Sequence, residues 1–335
     1  SSDLKQGKYM NIKKIGLTAL AGSLVAVSAY AGELSVSGGA KMSYTADTGN
    51  EDVQDDGNRF GLQKSIGFTG SGELDNGHTV SLAHYMAATG ALSSTILTYD
   101  MGDMGKLKYH EVSAGLGMEI IDDLTPTADE EIWNGLDTEG SSNESPVGRA
   151  SLGNTGFNYT YSAIDGVRVD VGYAPKTLGG SNDDGANSGA GANRSSSSVA
   201  VQYTGIDGAN LFFGTGEAGA ATSDSDVDIY GFTYALGPIT VGAQRTDIDY
   251  TAASSDLETD MFGVSFAVND NLSISYGQSE TSKEGSTVDQ EISGFSIGYS
   301  MGGMTVKAHK NKGEKLANTA NNESEHTEIA ISFAF

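Results

Sequence analysis

From Gly32 to the C-terminal Phe335 the chain alternates apolar and small polar residues with a period of two. Leu34, Val36, Ala40, Met42 and Tyr44 share one face, and Ser35, Ser37, Gly39, Lys41 and Ser43 the other. Val167, Val169, Val171 and Tyr173 alternate with Arg168, Asp170 and Gly172 in the same way. The last run sets Ile329, Ile331, Phe333 and Phe335 against Glu328, Ala330 and Ser332. Side chains of a strand point to opposite faces in turn, so this pattern specifies strands with one apolar and one polar face. Composition agrees, because 46 glycines in 335 residues disfavour helices.

The polar face selects the architecture. A soluble sandwich carries its charges outward over a bulky inner face. Here the polar face is mostly Ser, Gly, Thr and Ala, and aromatics stand near the ends of the apolar face. That suits a barrel with lipid outside and water inside. Tyr44, Tyr109, Tyr173, Tyr203, Tyr276 and Tyr299 are expected in the aromatic girdles. No run after residue 32 is long and apolar enough for a membrane helix; the longest uncharged one, Ile229 to Gln244, is broken by Gly237-Pro238.

Connections alternate in length. Short ones include Ile164-Asp165-Gly166, Leu236-Gly237-Pro238, Asn269-Asp270-Asn271 and Gly302-Gly303, which have tight-turn chemistry. Long polar ones run over 46–58, 110–148, 175–196, 217–226, 247–258, 279–290 and 310–325, and one further break near 87–94 makes 110–148 the third on its rim. Short turns on one rim and long loops on the other mark an outer-membrane barrel. The expected strands number sixteen: 33–45, 58–70, 78–86, 95–101, 106–110, 148–164, 167–174, 197–204, 209–216, 227–236, 239–246, 260–268, 272–278, 291–301, 304–309 and 326–335. The fold class is therefore all-β, a transmembrane antiparallel barrel of about 16 strands, wide enough for an aqueous channel.

The N-terminus reads as an export signal. Met10-Asn11-Ile12-Lys13-Lys14 is basic, residues 15–32 carry no charge, and Ala29-Tyr30-Ala31 is a small-x-small cleavage pattern. We expect the chain to start at Met10, to be cut after Ala31, and to form a barrel over 32–335. A membrane anchor is the alternative for the uncharged stretch. Loss of Lys5, Lys8, Lys13, Lys14 and Asp3 takes the net charge from −25 to −28. Such an acidic chain does not suit nucleic acid, and without cysteine it has no disulfide, thiolate metal site or cysteine nucleophile.

The mature start Gly32-Glu33-Leu34-Ser35-Val36-Ser37-Gly38-Gly39-Ala40, the Ile66-Gly67-Phe68-Thr69-Gly70-Ser71-Gly72 strand end, Gly105-Lys106-Leu107-Lys108-Tyr109 and the terminal Phe335 carry a resemblance. The sequence resembles the trimeric general diffusion porins of Gram-negative outer membranes, most closely the alphaproteobacterial type, over essentially all of the mature chain. That resemblance implies a homotrimer in the outer membrane, among lipid and lipopolysaccharide, with passive diffusion of small hydrophilic solutes. It also implies a third long loop folded into the lumen as a constriction, and Phe335 as the signal read by the barrel-assembly machinery.

The third long loop is the most charged segment. Residues 111–147 hold Glu111, Glu119, Asp122, Asp123, Asp129, Glu130, Glu131, Asp137, Glu139 and Glu144, with no Lys or Arg. Leu116, Met118, Ile120, Ile121, Leu124, Ile132 and Trp133 need a surface to pack against, which a solvated external loop does not give them. Strand parity turns Lys41, Arg59, Lys106, Lys108, Arg168 and Lys307 toward the polar face. Acids on the loop facing bases on the wall set up a transverse field, and the excess of acids predicts cation preference. Weak calcium binding by Glu119, Asp122, Asp123 and Asp129 is a further expectation; no other cofactor is expected.

Three motifs are set aside. Gly294-Phe295-Ser296-Ile297-Gly298 has the G-x-S-x-G spacing of hydrolases but lies inside an alternating strand, where no nucleophile elbow forms. Asp224-Ser225-Asp226-Val227-Asp228 opens like a calcium loop but lacks its Gly and bidentate Glu. The five histidines show no i, i+4 pair. No enzyme is expected. A non-conducting outer-membrane adhesin or structural barrel and a secreted acidic surface-layer β protein are the competing classes. The small residues of the lumen face argue against the first, and the alternation of short and long connections against the second.

Overall fold

The computed structural model describes residues 34–49, 58–87, 89–111, 115–136, 155–175, 194–219, 224–253 and 256–335. The expected signal over 10–31 with its cut after Ala31, the loop stretch 176–193, and Asp137, Glu139 and Glu144 lie outside them.

Sixteen antiparallel strands close into one barrel, each pairing with its neighbours in sequence and the first with the last. They are β1 (Ser35–Gly49), β2 (Phe60–Glu73), β3 (Thr79–Met86), β4 (Leu92–Asp100), β5 (Lys106–Glu111), β6 (Gly156–Tyr161), β7 (Val167–Ala174) and β8 (Ser196–Tyr203). The second half is β9 (Ala209–Ala218), β10 (Ser225–Leu236), β11 (Ile239–Tyr250), β12 (Leu257–Asn269), β13 (Leu272–Lys283), β14 (Gln290–Met301), β15 (Met304–Glu314) and β16 (Glu323–Ala334). Among the described residues the helical pieces are three single 3-10 turns. Closure leaves no unpaired strand edge, the condition for a sheet to stand in lipid. Phe335 completes the seam, donating its N–H to Gly38 O at 3.0 Å and accepting the Gly38 N–H at 2.7 Å.

The alternation becomes a two-sided wall. Phe213, Phe232, Phe262 and Phe295 are exposed, as are Val199, Val201, Leu211, Ile297 and Ile329. A belt of this kind suits hydrocarbon rather than water. Ser198, Gln244, Thr246, Thr259, Ser275, Ser279 and Ser296 occupy the opposite face and are buried.

The short turns stand where expected; Gly237 and Gly302 take φ of 58° and 59°, which their tight turns require. Strand lengths differ from the sequence reading at the long-loop ends. β11 continues to Tyr250, β13 to Lys283 and β15 to Glu314, beyond the expected ends at 246, 278 and 309. Backbone pairing does not depend on side-chain polarity, so the ladders continue past the apolar belt into charged sequence. Within the expected 148–164, whose first part reads equally as loop, residues 148–154 lie outside the described residues, and among those described the strand is Gly156–Tyr161. Its alternation begins at Phe157, which pairs Tyr173 across to β7.

Candidate functional site

Residues 115–136, between β5 and β6, lie along the face opposite the apolar belt. The path starts at Gly117, whose φ of 57° bends the chain so that its N–H reaches Asn158 Oδ1 at 2.7 Å. Met118 N–H donates to Ser198 Oγ at 2.9 Å. Met118 and Ile121 then pack with Ala200, Phe212, Val227, Ile229 and Ile248 in the largest apolar cluster among the described residues. Gln244 Nε2 donates to Asp122 O at 2.6 Å.

Beyond Asp122 the loop follows a row of glycines. Gly242, Gly263, Gly277 and Gly294 are directly paired across β11, β12, β13 and β14. The row continues through Asn311, His326 and Asp47. A Cβ at Gly263 would stand 2.9 Å from Pro126 O, and one at Gly277 2.8 Å from the Ile132 side chain. Lacking side chains, these positions form a groove in the wall that admits the loop backbone. Ser275 and Ser296 accept the Ala128 N–H at 2.9 and 3.2 Å, and Asn311 Nδ2 donates to Glu131 O and Asn134 O at 3.2 and 2.9 Å. Leu136 closes the path against Ile292 and Leu316.

The acids of this segment have separate tasks. Glu119 Oε2 accepts the N–H groups of Gly115 and Leu116 at 2.7 and 3.1 Å, capping the loop's first turn. Asp129 is gripped twice, by His309 Nδ1 at 2.8 Å and Lys307 Nζ at 3.1 Å. Burial alone would raise its pKa, but these two partners hold it below the usual carboxylate value. Asp123 is pushed up to about 8 by burial, then by the nearby charge of Glu131 and a hydrogen bond to it, and by Asp122. Glu130 faces Lys41, which lies 3.7 Å from it and 2.9 Å from Glu328.

The other expected residues divide into groups. Lys41 and Lys307 meet the loop. Lys106 lies at the short-turn end of β5, 2.8 Å from Asp100, and Arg168 at the start of β7, 2.7 Å from Asp170. With Lys108 they make a basic stretch of wall on β5 and β7, on the same face as buried Asp170. Arg59 directly precedes β2 at its long-loop end, accepts the Thr45 N–H at 3.0 Å and donates to the Tyr44 hydroxyl at 3.3 Å. Glu111, expected among the acids of the loop, is instead the last residue of β5, on the face that carries Leu107 and Tyr109. Glu119, Asp122, Asp123 and Asp129 do not converge on a common point, and among the described residues no three His, Asp or Glu side chains are arranged to hold a metal. Ser296 sits mid-strand and bonds Ser275 Oγ at 2.6 Å, and Asp226 and Asp228 alternate with Ser225 and Val227 along β10.

A family model described as "Gram-negative porin" matches residues 16–314. The chain belongs to the Gram-negative porin family. The fold agrees with solved outer-membrane proteins, porins among them. A loop-deleted OmpT of Vibrio cholerae aligns with TM-score 0.66 at 12% identity, over 91% of this chain and 100% of that one. An anion-selective porin from Comamonas acidovorans gives 0.65 at 13%, over 90% and 99%, and a mutant Rh. blastica porin gives 0.64 at 16%, over 90% and 100%. No curated protein sequence matches. The chain is thus an outer-membrane barrel that forms a diffusion channel.

For this porin, sequence reasoning found the acidic loop and missed what holds it. His309, His326, Asn311 and the glycine row are the anchors. The available signal was register: once strands are aligned, four glycines and then Asn311 and His326 fall on one transverse line.

Proposed function

We propose that this porin passes small hydrophilic solutes and ions through a lumen narrowed by residues 115–136, and that it prefers cations at low salt. The observation that carries the constriction is the continuous contact of that segment with the water-side wall, from Asn158 on β6 to His326 on β16. The chemistry required is electrostatic and steric only: carboxylates at the narrow point, small side chains elsewhere. No covalent step is needed, so the chain is read as a channel and not an enzyme. Likeness to an anion-selective porin at 13% identity is likeness of fold; selectivity follows from the charges of this chain's own wall.

A homotrimer fits a further feature. His84 and Thr95 join at 3.0 Å on the face that carries Leu82 and Leu97, and polar groups there are better covered by another subunit than by lipid. The rest of the apolar belt meets membrane lipid and lipopolysaccharide. Export through the residue 10–31 signal and delivery by the assembly machinery through Phe335 complete the proposal. The deciding experiment is single-channel recording in a planar bilayer with residues 116–140 deleted. Conductance should rise well above that of the intact chain; unchanged conductance would place the segment outside the conducting path.

A further inference from the structure

A cavity of about 220 Å³ opens between the loop tip and β1, β15 and β16. Lys41, Asp129, Glu130, Lys307 and Glu328 face it. This is smaller than the roughly 300–1,000 Å³ of pockets for drug-sized ligands, so only a small solute fits. Its charges are all paired, but unequally. Asp129 has two donors, His309 at 2.8 Å and Lys307 at 3.1 Å. The His309 side chain is 1% exposed and fixed, whereas Lys307 is 40% exposed. Lys307 can therefore turn its ammonium to an incoming carboxylate while Asp129 keeps a donor. On the other side Lys41 sits 2.9 Å from Glu328 but 3.7 Å from Glu130, whose side chain is 39% exposed. Glu130 can accept an incoming ammonium while the tighter Lys41–Glu328 pair stays closed.

The cavity thus offers one exchangeable cation and one exchangeable anion. Both line this one small cavity. A simple anion would meet a lining of two bases against three acids. A simple cation would use Glu130 and leave Lys307 idle. We propose that this cavity is a transient subsite for small zwitterions whose ammonium and carboxylate lie on one carbon, the amino-acid class. The ammonium docks on Glu130 and the carboxylate on Lys307. The inference rests on the reading of the barrel as a channel narrowed by this loop. Binding is weak, because both contacts are solvent-exposed pairs and a conducting site must release what it takes up.

The test uses the intact protein in planar bilayers at about 0.1 M KCl, where charge effects are little screened. Alanine is added at pH 7 and compared with propionate, which lacks the ammonium, alanine methyl ester, which lacks the carboxylate, and erythritol, an uncharged polyol. Alanine should reduce the ion current saturably, at a concentration at least about threefold lower than any of the three, as one extra exposed pair allows. Lys307→Met and Glu130→Gln should each remove that advantage and leave the erythritol response unchanged. Equal responses to alanine and erythritol in the unmodified protein would overturn the subsite while leaving the channel standing. The ligand-side comparison decides even if a variant fails to assemble. Absence of any conductance would instead count against the channel itself.

Discussion

Asp123 holds a proton near neutral pH because its carboxyl is buried beside Glu131 and Asp122, which pushes its pKa up to about 8. Its ordinary value is 3.8, so the folded chain binds this proton more tightly than the unfolded one does. The stabilising share is complete below the ordinary value and is lost as pH rises through about 8. Asp123→Asn keeps a neutral side chain of the same shape. Relative to the parent, the variant should gain at least about 1 kcal/mol between pH 5 and pH 9, since one pKa unit corresponds to 1.36 kcal/mol. Thermal unfolding in detergent at the two pH values reads this directly, and parallel pH dependence in both proteins would show that Asp123 is ionised throughout. The residue scale is also where the sequence was least informative. Ten acids in 111–147 were visible as a run. Nothing in the run distinguishes Glu119, which caps two backbone N–H groups, from Asp129, which ties the loop to β15. The Glu119 cap needs the local bend at Gly115 and Leu116, and the Asp129 tie needs a partner 180 positions away, His309.

At the scale of elements, the glycine row is what lets the loop lie flat. β-strand periodicity made the sixteen strands legible, because alternation repeats within each strand and needs no partner. The row was not legible, because it depends on register between strands, and Gly242, Gly263, Gly277 and Gly294 come from four separate segments. Strand ends were underestimated for a related reason: polar residues such as Asp247 and Glu280 hide a ladder that the backbone continues. The row makes a specific expectation. Gly263→Val puts carbon against the Pro126 backbone, which cannot yield as a flexible side chain could. Overpacking of this sort costs about 1–3 kcal/mol. The loss should be local: amide hydrogen exchange should quicken over residues 118–134 while the β12–β13 ladder stays protected. Uniform quickening across the barrel would mean that the wall, not the loop, carries the strain.

The whole molecule carries −25, and the channel's preference depends on which of those charges the permeating ion meets. Much of the acid is spent: burial beside other acids pushes the Asp123 pKa up to about 8, Glu119 caps backbone, and Asp129 is paired with Lys307 and hydrogen-bonded to His309. The bases are spent as well. Lys41 and Lys307 are paired within the loop cavity, and Lys106 and Arg168 are held by Asp100 and Asp170. Glu130 is the most weakly compensated, with only the long contact to a shared Lys41, and Glu131 meets the Asp123 carboxyl rather than a base. On the proposal that this segment narrows the channel, the balance there is negative, though by less than the run of acids suggests. A zero-current potential measured across a KCl gradient should have the cation-selective sign at about 0.1 M and shrink toward zero at about 1 M, as the Debye length falls from about 10 Å to about 3 Å. Glu130→Gln should lower the selectivity clearly, and Glu119→Gln much less, because the Glu119 charge is already met by two N–H donors. An anion-selective sign at low salt would mean that the Lys106, Lys108 and Arg168 wall sets the potential and that the loop acids are screened by their own partners.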